Sequence, residues 1–186
     1  GAARPHLRLN SDLGIYLLGP IKHLWITSLR VTAEIPSTYA GIMFHYSGSD
    51  GEDLLLEDLS IEGFSPNIAV SATDTAKGRY KNIELRGVIS VDSVFGDENG
   101  EISAGTITQG LYVNSVDGLL IDHCIFDHNG RSHDPGIEIS GLHSHNIYCQ
   151  SDSRNIEMRN SIIASAGSHG AKFLPGGIVK NCLFLR

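Results

Sequence analysis

Gly110-Leu-Tyr-Val-Asn-Ser-Val-Asp-Gly-Leu-Leu-Ile-Asp-His-Cys-Ile-Phe-Asp-His-Asn129 is the stretch whose reading decides the fold. Leu111 and Val113 alternate with Tyr112 and Asn114, the period of a half-buried strand. Ser115 to Gly118 break the run, and two more short strands follow, bent at His123. The phrase returns as Asn146-Ile-Tyr-Cys-Gln-Ser-Asp-Ser-Arg-Asn-Ile-Glu-Met-Arg-Asn-Ser-Ile-Ile163. Self-similarity at a period of roughly 20–50 residues marks a solenoid, in which each unit buries its apolar face against its neighbours.

Working outward, the rest of the chain divides into three recurring strand types. The first comprises Gly14-Ile-Tyr-Leu, Gly41-Ile-Met-Phe, Asn67-Ile-Ala-Val, Gly110-Leu-Tyr-Val, Asn146-Ile-Tyr-Cys and Gly170-Ala-Lys-Phe. The second comprises His23-Leu-Trp-Ile, Leu54-Leu-Leu, Asn82-Ile-Glu-Leu, Leu119-Leu-Ile, Asn155-Ile-Glu-Met and Ile178-Val. The third comprises Leu29-Arg-Val, Leu59-Ser-Ile, Val88-Ile-Ser, Cys124-Ile-Phe, Ser161-Ile-Ile and Cys182-Leu-Phe. Between the second and third types stands a bend column: Ser28, Asp58, Gly87, His123, Asn160 and Asn181. Small polar residues suit a bend because they tolerate positive φ and bond to nearby backbone. Stacked coil on coil, Asn160 and Asn181 should bond to each other. The residue after each bend is mostly apolar or small and should point inward.

These phrases, Gly110-Leu-Tyr-Val-Asn-Ser with Leu119-Leu-Ile-Asp-His-Cys-Ile-Phe and their copy, resemble the right-handed parallel β-helix proteins of the pectate-lyase-like superfamily. The tail Ser168-His-Gly-Ala-Lys-Phe-Leu-Pro-Gly-Gly-Ile-Val-Lys-Asn-Cys-Leu-Phe184 is similar to β-helix repeats of bacterial carbohydrate-active and secreted proteins. The resemblance covers about the whole chain and implies an all-β, right-handed single-stranded parallel β-helix of about six coils. It is specific for fold and weak for reaction, since this coil hosts lyases, epimerases, hydrolases, tailspikes and adhesins.

Residues 1–186 read as a single β-helix domain. Both ends read as uncapped, because no amphipathic helix precedes the first coil and Arg186 falls inside a third strand. An open solenoid end exposes core and unpaired strand edges. The expectation is therefore a fragment of a longer solenoid, or ends covered by another chain, with self-association through those ends among the outcomes. A net charge of −7 argues against nucleic acid, which needs a basic stripe. No apolar run approaches the ~20 residues of a membrane-spanning helix. A secreted or cell-surface location is what the resemblance implies.

In the β-helix enzymes that the chain resembles, substrate lies outside the first-strand sheet. Carried over residue by residue, that face holds one outward column of Tyr16, Met43, Ala69, Tyr112, Tyr148 and Lys172. A second column holds Leu18, His45, Ser71, Asn114, Gln150 and Leu174, and Gln109, His145 and His169 align just before the strands. Sugar rings stack on aromatic faces and bond to amides, so a polysaccharide is the expected partner. Tyr112, Asn114, Gln150 and His45 are its candidate contacts, joined by Arg131 and His133 from the neighbouring insertion. β-Elimination at a uronate needs a base for the C5 proton and a cation for the carboxylate. Lys172 with His145 or His169 could supply both, and Tyr148 an acid. The expected function is a lyase or C5-epimerase on an acidic polysaccharide. A non-catalytic adhesin, fibre subunit or tailspike-like segment is the alternative. A hydrolase would need two carboxylates, for which only Asp134 and Glu138 lie close in sequence.

The His-rich insertion with His128, His133, Asp134, His143 and His145 has metal-ligand residue types but neither zinc-protease spacing nor accompanying Cys, so no metal is assigned to it. Gly96-Asp-Glu-Asn-Gly-Glu-Ile102 faintly resembles a calcium loop through Asp97, Asn99 and Glu101. It lacks the closing Glu, which makes a plain acidic turn the better reading and leaves Ca²⁺ as the one cofactor still open. Trp25 should face outward if Leu24 and Ile26 face in. Arg86 and Arg159 should pair with Glu84, Glu157 or Asp122 on a solvated face. The three cysteines should all be free, since Cys124 and Cys182 lie two coils apart.

Overall fold

The computed structural model describes residues 4–10, 14–37, 39–46, 50–72, 78–95, 108–132 and 144–186. They form a right-handed parallel β-helix of about six coils, with no helix among the described residues. The first-strand sheet has six strands: Ile15–Leu18, Ile42–Tyr46, Ile68–Ala72, Gln109–Asn114, His145–Cys149 and Ala171–Phe173. The second has six: Lys22–Thr27, Gly51–Glu57, Tyr80–Arg86, Val116–Asp122, Arg154–Arg159 and Ile178–Lys180. The third has seven: His6–Leu9, Arg30–Ser37, Ser60–Phe64, Ile89–Val91, Ile125–Asp127, Ile162–Ala164 and Leu183–Leu185.

Every pairing is parallel, and the register follows from the apolar alternation, because a one-residue slip would turn each core side chain to solvent. On the first sheet Ile15, Ile42, Ile68, Leu111, Ile147 and Ala171 stand in one inward file. Ile42, Ile68, Leu111 and Ile147 are fully buried. The residues after the bend, Leu59, Val88, Cys124 and Ser161, are buried as well. Each large aliphatic side chain so buried contributes about 1.5–3 kcal/mol.

The corners are made by residues held at positive φ. The expected bend column is realised in full: Ser28 at 56°, Asp58 at 54°, Gly87 at 62°, His123 at 54°, Asn160 at 51° and Asn181 at 48°. Asn181 Nδ2 donates to Asn160 Oδ1 at 2.7 Å, and Asn160 Nδ2 donates to Asp122 Oδ1 at 2.9 Å. A second such column opens the second strands, with His23, Asp53, Asn82 and Asn155 between 52° and 56°. In the fourth coil the break between strands one and two is sharper than the sequence suggests. Only Ser115 interrupts the chain, and Gly118 lies within the second strand.

Two features were not legible beforehand. His6–Leu9 adds a strand to the third sheet, and Val94–Phe95 pairs with Arg131–Ser132 outside the three main sheets. The interior also carries a file of amides. Asn67 Nδ2 donates to Asn129 Oδ1 at 3.2 Å, Asn129 Nδ2 to Asn146 Oδ1 at 2.8 Å, and Asn146 Nδ2 to the Ala164 carbonyl at 2.7 Å. Asn129 Oδ1 also accepts the Ser93 backbone N–H at 2.9 Å. All three asparagines are fully buried, which is tolerable only because their amides are bonded. Gly110 makes room for this file, since a Cβ there would lie 2.6 Å from Asn129 Nδ2.

The second sheet's outer face is a lattice of ion pairs. Arg86 meets Glu57 and Glu84, and Arg159 meets Asp122 and, at 3.7 Å, Glu157. Trp25 points outward from this sheet and is 73% exposed.

Candidate functional site

The first-strand register fixes the outer face. Tyr16, Met43, Ala69, Tyr112, Tyr148 and Lys172 are successive partners in one column. Leu18, His45, Ser71 and Asn114 form the second, and Gln150 follows Asn114 in line through the Gln150 N–H bond to the Val113 carbonyl.

Near the C-terminal half these columns bring a polar cluster together. The Tyr112 and Tyr148 rings stack with centroids 6.2 Å apart and planes 20° from parallel. Lys172 Nζ sits 5.5 Å from the Tyr148 centroid, within the range of a cation–π contact. The His145 ring lies 5.2 Å from that of Tyr148 and 5.1 Å from that of His169. Tyr148 Oη donates to Gln150 Oε1 at 3.4 Å. Burial raises the Tyr112 hydroxyl above its ordinary pKa, offset in part by its bond to Gln150, so Tyr112 stays neutral and able to donate.

Four side chains that the sequence nominated as catalytic thus share one site, but not on equal terms. His169 is exposed, and its Nδ1 meets Ser168 Oγ at 2.9 Å. Lys172 and Tyr148 are half-buried. His145, the first residue of its strand, is fully buried, its ring packed against those of Tyr148 and His169. A ligand on the outer face meets His169, Lys172 and Tyr148 first.

The remaining candidates are distributed. Asn114 is beside the cluster, its Nδ2 donating to the Ala72 carbonyl at 3.3 Å. His45 lies toward the other end of the sheet, stacked on Tyr16 with centroids 6.3 Å apart. Arg131 is exposed on the small outer pair, and its Nε donates to the Ser165 carbonyl at 3.0 Å. His133, Asp134, Glu138 and His143 lie outside the described residues, as do Asp97, Asn99 and Glu101 of the acidic turn. Among the described residues no three His, Cys, Asp or Glu side chains cluster as metal ligands.

His123 is a corner residue whose Nδ1 meets Asp122 Oδ1 at 2.7 Å. Sequence reasoning placed Tyr16 on the outer column without nominating it, although its alignment with Tyr112 and Tyr148 was the available signal. Ser168, which orients His169, carried no such signal.

No protein family matches the chain, and neither a curated protein nor a solved structure matches it.

Proposed function

We propose that this chain is a carbohydrate-active β-helix protein of the pectate-lyase-like kind, working outside the cell or at its surface. Its substrate would be a uronate-containing polysaccharide, and its reaction β-elimination or C5 epimerisation. The observation that carries this reading is the grouping of Lys172, Tyr148 and His169 beside the Tyr112–Tyr148 stack. A sugar ring laid on that stack brings its C5 carboxylate toward the Lys172 ammonium, which neutralises it and so acidifies the C5 proton. His169 is the base that accepts that proton. For elimination, the C5–H electron pair becomes the C4–C5 double bond, the C4–O bond breaks, and the Tyr148 hydroxyl protonates the departing oxygen. For epimerisation, a proton is returned to the opposite face of C5 and no bond in the chain is cut.

A second reading, a non-catalytic glycan-binding β-helix, is favoured by the complete burial of His145. A ring in that position packs the site instead of working in it.

The test is absorbance of the unsaturated uronate on pectate, alginate and glycosaminoglycans, with and without calcium, alongside solvent-proton exchange at C5. His169→Ala should lower the rate by about 10²–10⁴. Lys172→Ala should abolish activity with little change in stability, and Tyr148→Phe should reduce turnover more than binding. A wild-type protein silent in both assays but still binding polysaccharide would leave the binding reading in place of the enzyme.

A further inference from the structure

The outer face of the second sheet is ordered by charge from strand to strand. Register puts Lys22, Glu52, Lys81, Asp117 and Arg154 in one outward file and Glu57, Arg86, Asp122 and Arg159 in another. Across the files the signs fall in bands. Gly51–Glu57 and Val116–Asp122 carry acids and no cation, whereas Tyr80–Arg86 and Arg154–Arg159 each set two cations around one glutamate. The in-plane ion pairs hold these side chains without covering them, and Arg86, Arg154 and Arg159 stay 47%, 61% and 40% exposed. Between the files runs one more column, from Trp25 through Leu55, Glu84, Leu120 and Glu157 to Ile178. Its two ends are apolar and open, Trp25 at 73% exposed and Ile178 at 51%.

We infer that this face is a docking surface for a second copy of the chain, related by a two-fold axis that runs along the strands between Tyr80–Arg86 and Val116–Asp122. Such an interface is isologous, so the face must complement itself. The rotation reverses the coil order, and each acidic strand then faces a cationic one. Lys81 meets Asp117 of the second copy and Arg86 meets its Asp122. Glu52 meets its Arg154, and Glu57 its Arg159. Trp25 lands on Ile178 of the second copy, twice by symmetry. Glu84 and Glu157 face leucines and keep the arginine of their own strand. Turning the copy about an axis along the solenoid instead sets acid on acid and cation on cation, so the charges select one arrangement and oppose the other. The face spans six strands at ~4.8 Å and six residues at ~3.3 Å, an area of about 400 Å² per copy. That is below the ~800 Å² per partner of a stable complex, so the dimer is weak and exchanges with monomer. The first-strand sheet lies on a different face, and the inference stands apart from whatever that sheet binds.

The experiment uses Trp25, the single tryptophan of the chain. Sedimentation velocity and tryptophan emission are followed on the full chain from micromolar to millimolar concentration, at about 0.05 M and about 0.5 M NaCl. At low salt a dimer should appear with concentration, and Trp25 emission should shift to the blue in step with it. Both should fade at high salt, where screening weakens the bands. Arg154→Glu should weaken the dimer at least about 10-fold by setting a like charge against Glu52 of the second copy. Adding Glu52→Arg to it should restore the dimer, since the two positions lie three coils apart within a chain and meet only between copies. Thermal melts check that each variant folds. If the charge variants melt early, Ile178→Ser decides the matter, since it leaves every charge in place and should reduce both the dimer and the blue shift. A chain that stays monomeric over the whole range at low salt overturns the docking surface. So does a dimer that forms without the blue shift, or one that folded Arg154→Glu or Ile178→Ser protein leaves intact, because either places the contact elsewhere on the solenoid.

Discussion

Asp122 Oδ1 accepts the Nδ2–H of Asn160, one coil further along, at 2.9 Å. The same carboxylate takes Arg159 Nη2 at 3.0 Å through its other oxygen. The Arg159 bond chiefly, then that of Asn160, hold the Asp122 carboxyl down from 3.8 to about 2. A carboxylate with a depressed pKa stabilises the fold fully above the unfolded value and loses that contribution as pH falls through the folded one. Asp122 therefore contributes acid sensitivity between pH 3.8 and about 2. Asp122→Asn should lower the melting temperature at neutral pH and flatten its dependence on pH in that window. Equal slopes for variant and wild type would show that the corner carboxylate is not coupled to folding.

Gly87 occupies the same bend column with φ at +62°, and the nearest atom to a Cβ built there is the Asp58 backbone nitrogen at 3.9 Å. Space is not the constraint at this position; backbone conformation is. Gly87→Val should cost about 1–2 kcal/mol, the penalty for an L-residue held left-handed. Gly87→Asn should cost less, since Asn tolerates that region. Denaturation midpoints measure both, and equal losses would point to packing instead of dihedral strain.

Asn129 is the hub of the interior amide file, with bonds to Asn67, Asn146, Ser93 and the Ser90 carbonyl. Asn129→Ala strands several buried polar groups at once, each costing about 1–3 kcal/mol when left unpaired. Its destabilisation should exceed that of Asn181→Ala, which removes one exposed bond at the last corner. Urea titration with a comparable loss for the two would mean that water enters the Asn129 site and restores the bonds.

The coil was legible because one apolar face sets the register of every strand, and the register sets each corner. Ile15, Ile42 and Ile68 could be filed together from alternation alone, and Tyr112, Tyr148 and Lys172 followed on the other face. The interior amides were not legible. Asn129 looks like a turn residue, and its partners Asn67 and Asn146 belong to other coils, so only the stacking reveals that their side chains meet inside. Arg86 and Arg159 read correctly as members of a charged face because their partners sit in register. The burial of His145 was illegible because it comes from ring contacts, with Tyr148 and with His169 of the next coil, that only the folded coils bring together.

The thiols give an independent check on the register. All three cysteines are free, with Cys124 and Cys149 buried and Cys182 part-exposed. Cys124 and Cys182 share a column with Ser161 between them, joined through the Ile162 N–H bond to the Cys124 carbonyl and the Leu183 N–H bond to the Ser161 carbonyl. Two coil steps place their backbones ~9.6 Å apart by strand spacing, beyond the ~7 Å that a disulfide spans. Burial pushes the Cys124 thiol up to about 11 and raises that of Cys149 further, so neither offers much thiolate to a reagent at neutral pH. Titration of the native protein with an aromatic disulfide should find Cys182 reacting promptly and the other two lagging. In denaturant all three should react. Because the Cys149 strand lies between two others in its sheet, its labelling rate should follow global unfolding and rise with urea as the folded fraction falls. Prompt labelling of Cys149 in the native state, or fewer than three reactive thiols after unfolding, would place at least one strand in a different register.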